Sequence, residues 1–239
     1  MKPYNTQESK KEEIREMFNK IAPNYDFLNH LLSMNFDRLW RRRMVRMVAE
    51  TEPKDLLDVA TGTADVAINV VRKIKDCAVT GIDLSDEMVR YAEQKVEERG
   101  LSSRVDLLVG DAEQLPFVDG SFDATTASFG VRNFGDLPKG LSEMCRVLRA
   151  GGSCFIMEFS RPDDVPLFSW LYRFYFHRIL PIIGGMVSKD RQAYTYLPLS
   201  VEEFPSHDEF ESMMLTAGFS EVRSVRLMWG VAYIYIGIK

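Results

Sequence analysis

The chain carries at positions 55–65 the run Asp55-Leu56-Leu57-Asp58-Val59-Ala60-Thr61-Gly62-Thr63-Ala64-Asp65, an apolar strand that stops at a turn of small residues and restarts as a helix. A helix N-terminus after such a turn presents unpaired backbone N–H groups, which normally attract a phosphate. Here Asp58 and Asp65 add carboxylates beside the turn, and these disfavour a pyrophosphate. The run therefore favours a nucleotide-type cofactor that lacks a phosphate and has a cationic reacting end.

The acid after the second strand fits this site without identifying its ligand. Residues 78–82 read as a short buried strand that ends at Asp83, 21 positions after Gly62. An acid at about this spacing also binds the adenosine ribose in dinucleotide folds. The glycines discriminate between the two cofactors, because the positions of the dinucleotide pattern Gly-x-Gly-x-x-Gly hold Gly62, Ala64 and Ala67 here, which is one match in three. S-adenosylmethionine, with an ammonium, a sulfonium and no phosphate, is favoured over a nicotinamide dinucleotide.

A third acid repeats the pattern. The strand predicted at residues 105–109 ends in Gly110-Asp111-Ala112, and Asp111 is placed to accept from an adenine amino group. The alternative is a solvated carboxylate that caps the turn after the strand. Asp58, Asp83 and Asp111 all end successive predicted strands, where open α/β sheets bind ligands. This recurrence favours a shared binding site.

The remaining elements predict an α/β fold. Ser85 and Asp136 begin helical patterns, residues 122–128 and 153–157 read as strands four and five, and Ser206 begins a helix that Gly218 stops. Runs 221–227 and 231–237 are joined by three residues, a link that forces an antiparallel hairpin. These elements predict a class I S-adenosylmethionine-dependent methyltransferase (Rossmann-like) architecture: a seven-stranded, mostly parallel sheet with a C-terminal antiparallel hairpin.

We expect one domain overall. Residues 1–50 are predicted to form an N-terminal helical cap segment, and residues 51–239 a methyltransferase domain with a lid insertion at about 161–205. With 239 residues, of which 46% are apolar, the chain is long enough to bury one large core.

Composition narrows the setting. The formal net charge of −5 provides no general attraction to nucleic acid, so nucleic acid is not expected as a partner. Cys77, Cys145 and Cys154 are unclustered and are expected to be reduced, buried thiols of a cytoplasmic protein. The three histidines are too scattered to suggest a metal. Residues 1–20 are rich in Lys and Glu and lack the apolar core of a signal peptide.

Several segments resemble the menaquinone/ubiquinone biosynthesis C-methyltransferase family, almost from end to end. The cofactor motifs are common to many methyltransferases, whereas the Tyr25-Asp26 segment and the turn at 129–133 are far more specific to this family. The matching segments are Phe18-Asn19-Lys20-Ile21-Ala22-Pro23-Asn24-Tyr25-Asp26, Leu39-Trp40-Arg41-Arg42, Asp58-Val59-Ala60-Thr61-Gly62-Thr63-Ala64-Asp65, Leu115-Pro116-Phe117 and Ser128-Phe129-Gly130-Val131-Arg132-Asn133-Phe134.

The resemblance implies a set of residues that contact S-adenosylmethionine. They are Thr63, Asp83, Asp111, Ala112 and Ser128. We add Asp58 and Gly62 at the turn, and Tyr25 in the N-terminal segment. Tyr25 is expected to close over the cofactor with Asp26, the alternative being a helix-ending turn in a docking N-terminal segment.

The reaction implied by the resemblance is transfer of the sulfonium methyl to a ring carbon of demethylmenaquinol, giving menaquinol in the last step of menaquinone biosynthesis. Alternatives are C-methylation of a ubiquinone-precursor benzoquinol, as the sole or a second activity, and methylation of another small acceptor. A non-enzymatic quinone or lipid carrier would be expected to have a damaged cofactor turn, and the turn here is intact.

Two residues after the fourth strand are the catalytic candidates. The Arg132 guanidinium stays protonated and would favour a phenolate on the substrate. The alternative is that Arg132 holds the helix start at Asp136 or a nearby carboxylate. Asn133 is expected to orient a quinol oxygen, whereas His177 is more simply read as an ordinary helix histidine.

The expected substrate is a polyprenyl quinol, which requires an apolar entry. Residues 165–187 are rich in aromatic and aliphatic side chains but are interrupted by charges, a proline and two glycines, which favours a lid touching the membrane surface over a membrane span. An ordinary buried helix is the alternative. A basic run has two possible functions. It could contact anionic lipid peripherally at the inner face of the cell membrane, or it could form a solvated helix face. The run comprises Arg38, Trp40, Arg41, Arg42, Arg43 and Arg46.

Overall fold

The computed structural model describes residues 2–161, 178 and 191–239. The described part of the chain contains one sheet of seven strands: β1 (Asp55–Val59), β2 (Ala78–Asp83), β3 (Val105–Val109), β4 (Phe122–Ser128), β5 (Leu148–Phe159), β6 (Glu221–Leu227) and β7 (Ala232–Ile238). Their order is β3-β2-β1-β4-β5-β7-β6. Neighbours from β3 to β5 pair in parallel, and β7 is antiparallel to both β5 and β6. The predicted mostly parallel sheet with its C-terminal hairpin is confirmed.

Eight α-helices lie in the same described residues: α1 (Lys10–Ile21), α2 (Tyr25–Leu32), α3 (Phe36–Ala49), α4 (Asp65–Lys73), α5 (Asp86–Glu97), α6 (Leu137–Arg146), α7 (Arg191–Glu203) and α8 (His207–Thr216). The predicted caps are confirmed. The side chains of Ser85, Asp136 and Ser206 each accept from the backbone N–H three residues further on, at α5, α6 and α8 respectively.

The fifth strand begins earlier than predicted. Residues Gly151 and Gly152 lie within β5, because Leu148 already pairs with Phe122 on β4. The register then shifts so that Ser153 pairs with Ala124. The glycines therefore form an irregularity inside the strand, and Leu148 belongs to β5.

Strand alternation divides the core between the two faces of the sheet. On β1, Leu56 packs with α3 and α4, whereas Leu57 packs with α6 and α8. A third cluster joins α1, α2, α5 and α7 through side chains that include Ile14, Leu28 and Met88. The helices α1 and α2 thereby pack on α5, whereas α3 forms part of the core on one face of the sheet.

The basic run of α3 does not act as one surface. Trp40 and Arg41 are buried, and Arg41 pairs with the buried Asp37 one turn earlier. For these two residues neither predicted alternative, lipid contact or a solvated face, is correct. The exposed members are Arg38, Arg42, Arg43 and Arg46.

The lid insertion was predicted at about 161–205. Its residues 162–190, which include the apolar run 165–187, lie outside the described residues apart from position 178. Among the helices that are described, none is both long enough and apolar enough to cross a membrane. The three cysteines are free and buried, as predicted.

Candidate active site

A cleft of about 660 Å³, including its open mouth, lies at the carboxyl ends of the central parallel strands, beside α1. This is the edge at which open α/β sheets bind ligands. Seven of the predicted site residues line it: Tyr25, Gly62, Asp83, Asp111, Ala112, Ser128 and Asn133. Thr63, Asp58 and Arg132 do not line it.

The turn after β1 and the acid after β2 are joined directly. Gly62 has a φ of +56° and donates its backbone N–H to Asp83 over 2.8 Å. The other oxygen of Asp83 accepts from the backbone of Ser85 at 2.9 Å. Burial raises the pKa of Asp83. Because each carboxylate oxygen has a second lone pair, Asp83 retains the capacity to accept from a ligand hydroxyl.

Asp58 does not face the cleft, although it was predicted to contact the cofactor. Its two oxygens accept from the hydroxyls of Thr61 in the turn and Thr126 on β4, each at 2.6 Å. It is 1% exposed, and burial raises its pKa to about 6. Asp58 therefore ties the turn to the neighbouring strand from beneath.

Thr63 belongs to a charged network that the sequence did not reveal. Its hydroxyl donates to Asp26 and accepts from Lys95. The Lys95 ammonium lies 2.5 Å from Asp26 and 2.6 Å from Asp65. Asp26 is therefore turned away from the cleft that Tyr25 lines. The network joins α2, the turn after β1, α4 and α5.

Asp111 combines the two roles considered for it. One oxygen accepts from the backbone of Glu113 at 2.9 Å, which is the predicted cap of the turn, and the carboxylate also lines the cleft. Lys11 on α1 lies 2.5 Å from Asp111 and 2.9 Å from Glu113. Sequence reasoning missed Lys11, because its partners are about 100 positions away.

Helix α1 also covers the cleft with apolar side chains. Ile14 and Phe18 line it from this helix, and Met88 lines it from α5. The i, i+4 spacing of Ile14 and Phe18 is the signal that could have identified this face of α1.

Arg132 is held by the protein rather than presented to the cleft. Its side chain is 8% exposed, with Nη1 2.7 Å from the buried carboxylate of Glu158. It also donates to the carbonyl of Phe129 and, from Nε, to Ser200 at 3.3 Å. Arg132 therefore holds a nearby carboxylate, that of Glu158, which was one of the alternatives to a catalytic role. It does not hold the helix start at Asp136, whose side chain caps α6.

Asn133 differs from its neighbour because it lines the cleft. It ends the short 3₁₀ turn Val131–Asn133 and is 8% exposed. Its Oδ1 accepts from the hydroxyl of Tyr196 at 3.2 Å. Its Nδ2 is buried and finds no acceptor within residues 2–161 and 191–239.

The cleft fits S-adenosylmethionine by the chemistry of its walls. Asp83 and Asp111 supply acceptors for hydroxyl and amino groups, and Lys11 is already paired with carboxylates. The hydroxyl of Ser128 is a second buried polar group at the wall that lacks a partner among the described residues. Buried polar groups usually have a partner, so the Ser128 hydroxyl and the Asn133 amide are available to a ligand in the cleft.

The strand order, the reversed last strand and this cleft define a class I S-adenosylmethionine-dependent methyltransferase. Residues 6–239 match the ubiE/COQ5 methyltransferase family, and the chain belongs to that family. The resemblance read from the sequence motifs is thereby confirmed.

Similar proteins agree with this assignment. The chain is 45% identical over 240 residues to a demethylmenaquinone methyltransferase of Porphyromonas gingivalis, covering 99% of this chain and 97% of that one. It is 48% identical over 231 residues to a ubiquinone/menaquinone biosynthesis C-methyltransferase of Geobacter sp. strain M21, covering 96% and 97%. The crystal structure of an S-adenosylmethionine-dependent methyltransferase from Aquifex aeolicus shares the fold, with a TM-score of 0.56 at 22% identity, covering 77% of this chain and 81% of that one.

Proposed function

We propose that the protein methylates a ring carbon of demethylmenaquinol, giving menaquinol. Two relatives that match nearly the whole chain are named for quinone methylation. The observation that carries the proposal beyond the family is the pair of unpartnered buried polar atoms, Ser128 Oγ and Asn133 Nδ2, in a cleft that is otherwise lined mainly by carboxylates and apolar side chains. Such a cleft suits a cationic cofactor beside an apolar ring that bears hydroxyl groups.

The residues of the cleft have distinct proposed roles toward the cofactor. S-adenosylmethionine supplies an electrophilic methyl group on a cationic sulfur. Asp83 accepts from the ribose hydroxyls, while its two backbone contacts hold the carboxylate in place. Asp111 accepts from the adenine amino group, and Ile14, Phe18 and Met88 cover the apolar faces.

The acceptor ring requires electron density at carbon, which the reduced quinol provides once a hydroxyl proton is lost. Asn133 Nδ2 donates to the oxygen that becomes negative when this proton leaves, and preorganised donors of this kind stabilise such charge. The methylated ring carbon then loses its own proton, which restores the aromatic ring. Arg132 contributes its positive charge from behind the wall, partly balanced by Glu158. Burial raises the pKa of Glu158, and Arg132 opposes that shift.

The first experiment follows a labelled methyl group from S-adenosylmethionine to a short-chain demethylmenaquinone, with and without dithionite. We expect label on the ring carbon only when the quinone is reduced. A benzoquinol precursor of ubiquinone, assayed in parallel, tests a second activity, which the name of the Geobacter relative suggests. Cofactor binding without label on either quinol would contradict the proposed substrate class.

The function of the Arg132 charge must be tested with a control variant, because removing this charge also breaks the ion pair with Glu158. The variants Arg132→Gln and Glu158→Gln both break the pair, but only the second keeps the guanidinium. We expect Arg132→Gln to lower kcat about 100-fold and Glu158→Gln to lower it far less. Equal losses in the two variants would mean that the pair acts only on the structure.

We further propose that the protein contacts the inner face of the cell membrane peripherally, through the outer surface of α2 and α3. Phe27, Leu31, Met34 and Leu39 are 45–66% exposed around this corner. The exposed arginines 38, 42, 43 and 46 lie on the outer face of α3. The ion pairs found among the described residues include none of them. Apolar side chains interleaved with unpaired cations suit a surface of anionic lipid, where the substrate resides.

Vesicle co-sedimentation tests this surface. We expect binding to phosphatidylcholine vesicles that contain phosphatidylglycerol, weakened by salt and by the double change Phe27→Ser and Leu31→Ser. The matched control, Val118→Ser with Leu215→Ser, alters exposed apolar residues elsewhere and should bind normally. Equal binding by both double variants would exclude the α2–α3 corner.

A further inference from the structure

The amide of Asn133 has two ends that the protein treats differently. Oδ1 accepts from the Tyr196 hydroxyl at 3.2 Å, whereas Nδ2 is buried without an acceptor in the described residues, and the residue lines the cleft. An asparagine amide carries an acceptor at one end and two donors at the other. Its function in the cleft therefore depends on which end faces the ligand.

The Tyr196 hydroxyl favours one of the two amide orientations. In the observed orientation the phenolic proton is used, because it is donated to Oδ1. If the amide were reversed, Nδ2 would donate to the phenolic oxygen, and the phenolic proton would need another acceptor. Among the described residues, Asn133 is the partner found for this hydroxyl, so the reversed amide would leave a buried donor unsatisfied.

Tyr196 is well suited to remain a donor. It lies on α7, is 4% exposed and packs in the cluster that joins α1, α2, α5 and α7. Burial raises its pKa to about 12, so the phenol keeps its proton at neutral pH.

The neighbouring cation does not replace this donor. The guanidinium of Arg132 is engaged by Glu158, Phe129 and Ser200, and it does not line the cleft. At this part of the wall the donors available to a ligand oxygen are therefore the Asn133 amide and the Ser128 hydroxyl.

We propose that Tyr196 is a positioning residue, which orients the Asn133 amide so that Nδ2 donates to an oxygen of the hydroxylated aromatic ring bound in the cleft. This inference rests on the proposed function for the identity of that ring. Tyr196 itself does not touch the ring. Its hydroxyl acts through Asn133, and a phenylalanine at the same position would fill the space but permit both amide orientations.

The test compares two tyrosine-to-phenylalanine variants. Tyr196→Phe removes the hydroxyl that contacts Asn133, and Tyr235→Phe removes a hydroxyl that is also buried but lacks a partner among the described residues. We expect Tyr196→Phe to lower kcat for demethylmenaquinol about tenfold. This loss is smaller than the loss expected when a donor is removed altogether, because the Asn133 amide is still present. Affinity for S-adenosylhomocysteine and the unfolding midpoint should stay near the parent values, and Tyr235→Phe should leave kcat unchanged.

A double-mutant cycle separates positioning from packing. If Tyr196 acts through Asn133, then adding Tyr196→Phe to Asn133→Ala should lower kcat no further, because the amide is already gone. A multiplicative loss in the double variant would overturn the proposal. So would a kcat of Tyr196→Phe equal to that of the parent.

A readout without substrate distinguishes failure of this inference from failure of the proposed function. In ¹⁵N-labelled protein, the side-chain NH₂ signals of Asn133 are identified by their loss in Asn133→Ala. We expect them to shift or broaden in Tyr196→Phe and to stay in place in Tyr235→Phe. If the parent does not methylate the quinol but these signals respond, the proposed substrate is wrong and the positioning stands. If the signals do not respond, the positioning is wrong.

Discussion

At the level of single residues, the three acids at the carboxyl ends of the first three strands have different functions. Asp83 and Asp111 line the cleft, whereas Asp58 is sealed beneath it by Thr61 and Thr126. All three looked alike in sequence, because each follows an apolar strand. What separates them is the position of hydroxyl and amide partners on neighbouring strands, which a single chain read in order does not reveal.

The buried Asp58 gives a prediction on pH and stability. Its pKa in the folded state, about 6, lies above the ordinary value of 3.8, so folding favours the protonated form. The stability that this group contributes is present below pH 3.8 and is lost as the pH rises through 6. In Asp58→Asn this loss is absent. Between pH 4.5 and 7.5 the parent should therefore lose about 2 kcal/mol of unfolding free energy relative to the variant.

Urea unfolding at several pH values measures this difference. The control is Asp106→Asn, which removes an exposed carboxylate on β3 and should follow the parent at every pH. A difference between Asp58→Asn and the parent that stays constant with pH would show that Asp58 titrates normally in the folded protein.

At the level of elements, α1 closes the cleft and is attached through Asn19. Its side chain accepts from the hydroxyl of Ser85 at 2.5 Å and donates to Asp86 at 2.9 Å, both at the start of α5. Removing these bonds in Asn19→Ala should lower the free energy that holds α1 against α5 by roughly 1–2 kcal/mol. We expect faster limited proteolysis before residue 25 and weaker binding of S-adenosylhomocysteine.

The control for α1 is another asparagine. Asn69 donates to Asp65 within α4, so Asn69→Ala removes a side-chain bond that does not connect helices. Its N-terminal proteolysis should match that of the parent. If Asn19→Ala and Asn69→Ala are cleaved equally fast, the contact between α1 and α5 does not hold the cover closed.

The elements themselves were largely predictable from sequence. Short strand-like runs predicted β4 and β6, and caps such as Ser85 and Ser206 predicted the helix starts, because both signals act over a few residues. The contacts that shape the site act over long separations. Arg132 and Glu158 are 26 positions apart, and Lys11 and Asp111 are 100 apart. No local pattern links such partners.

At the level of the whole molecule, the cleft sits between three packed clusters, so a ligand that fills it should stabilise the entire fold. S-adenosylhomocysteine at about 100 times its Kd should add about 2.7 kcal/mol. For a chain of this size, that raises Tm by about 5–10 °C. NAD at the same concentration should leave Tm unchanged, because the carboxylates of the cleft disfavour a pyrophosphate. Differential scanning fluorimetry measures both effects.

The same measurement assigns the effect to the cleft. Asp83→Asn replaces the carboxylate that joins the turn to β2 and should weaken the ligand-induced rise in Tm, since hydrogen bonds to a charged group contribute about 1.5–3 kcal/mol. Asp106→Asn, on the exposed side of β3, should retain the full rise. A rise with NAD that depends on Asp83 would mean that the cleft binds dinucleotides. A rise with S-adenosylhomocysteine that is lost only in Asp83→Asn ties the stability of the whole fold to occupancy of this one cleft.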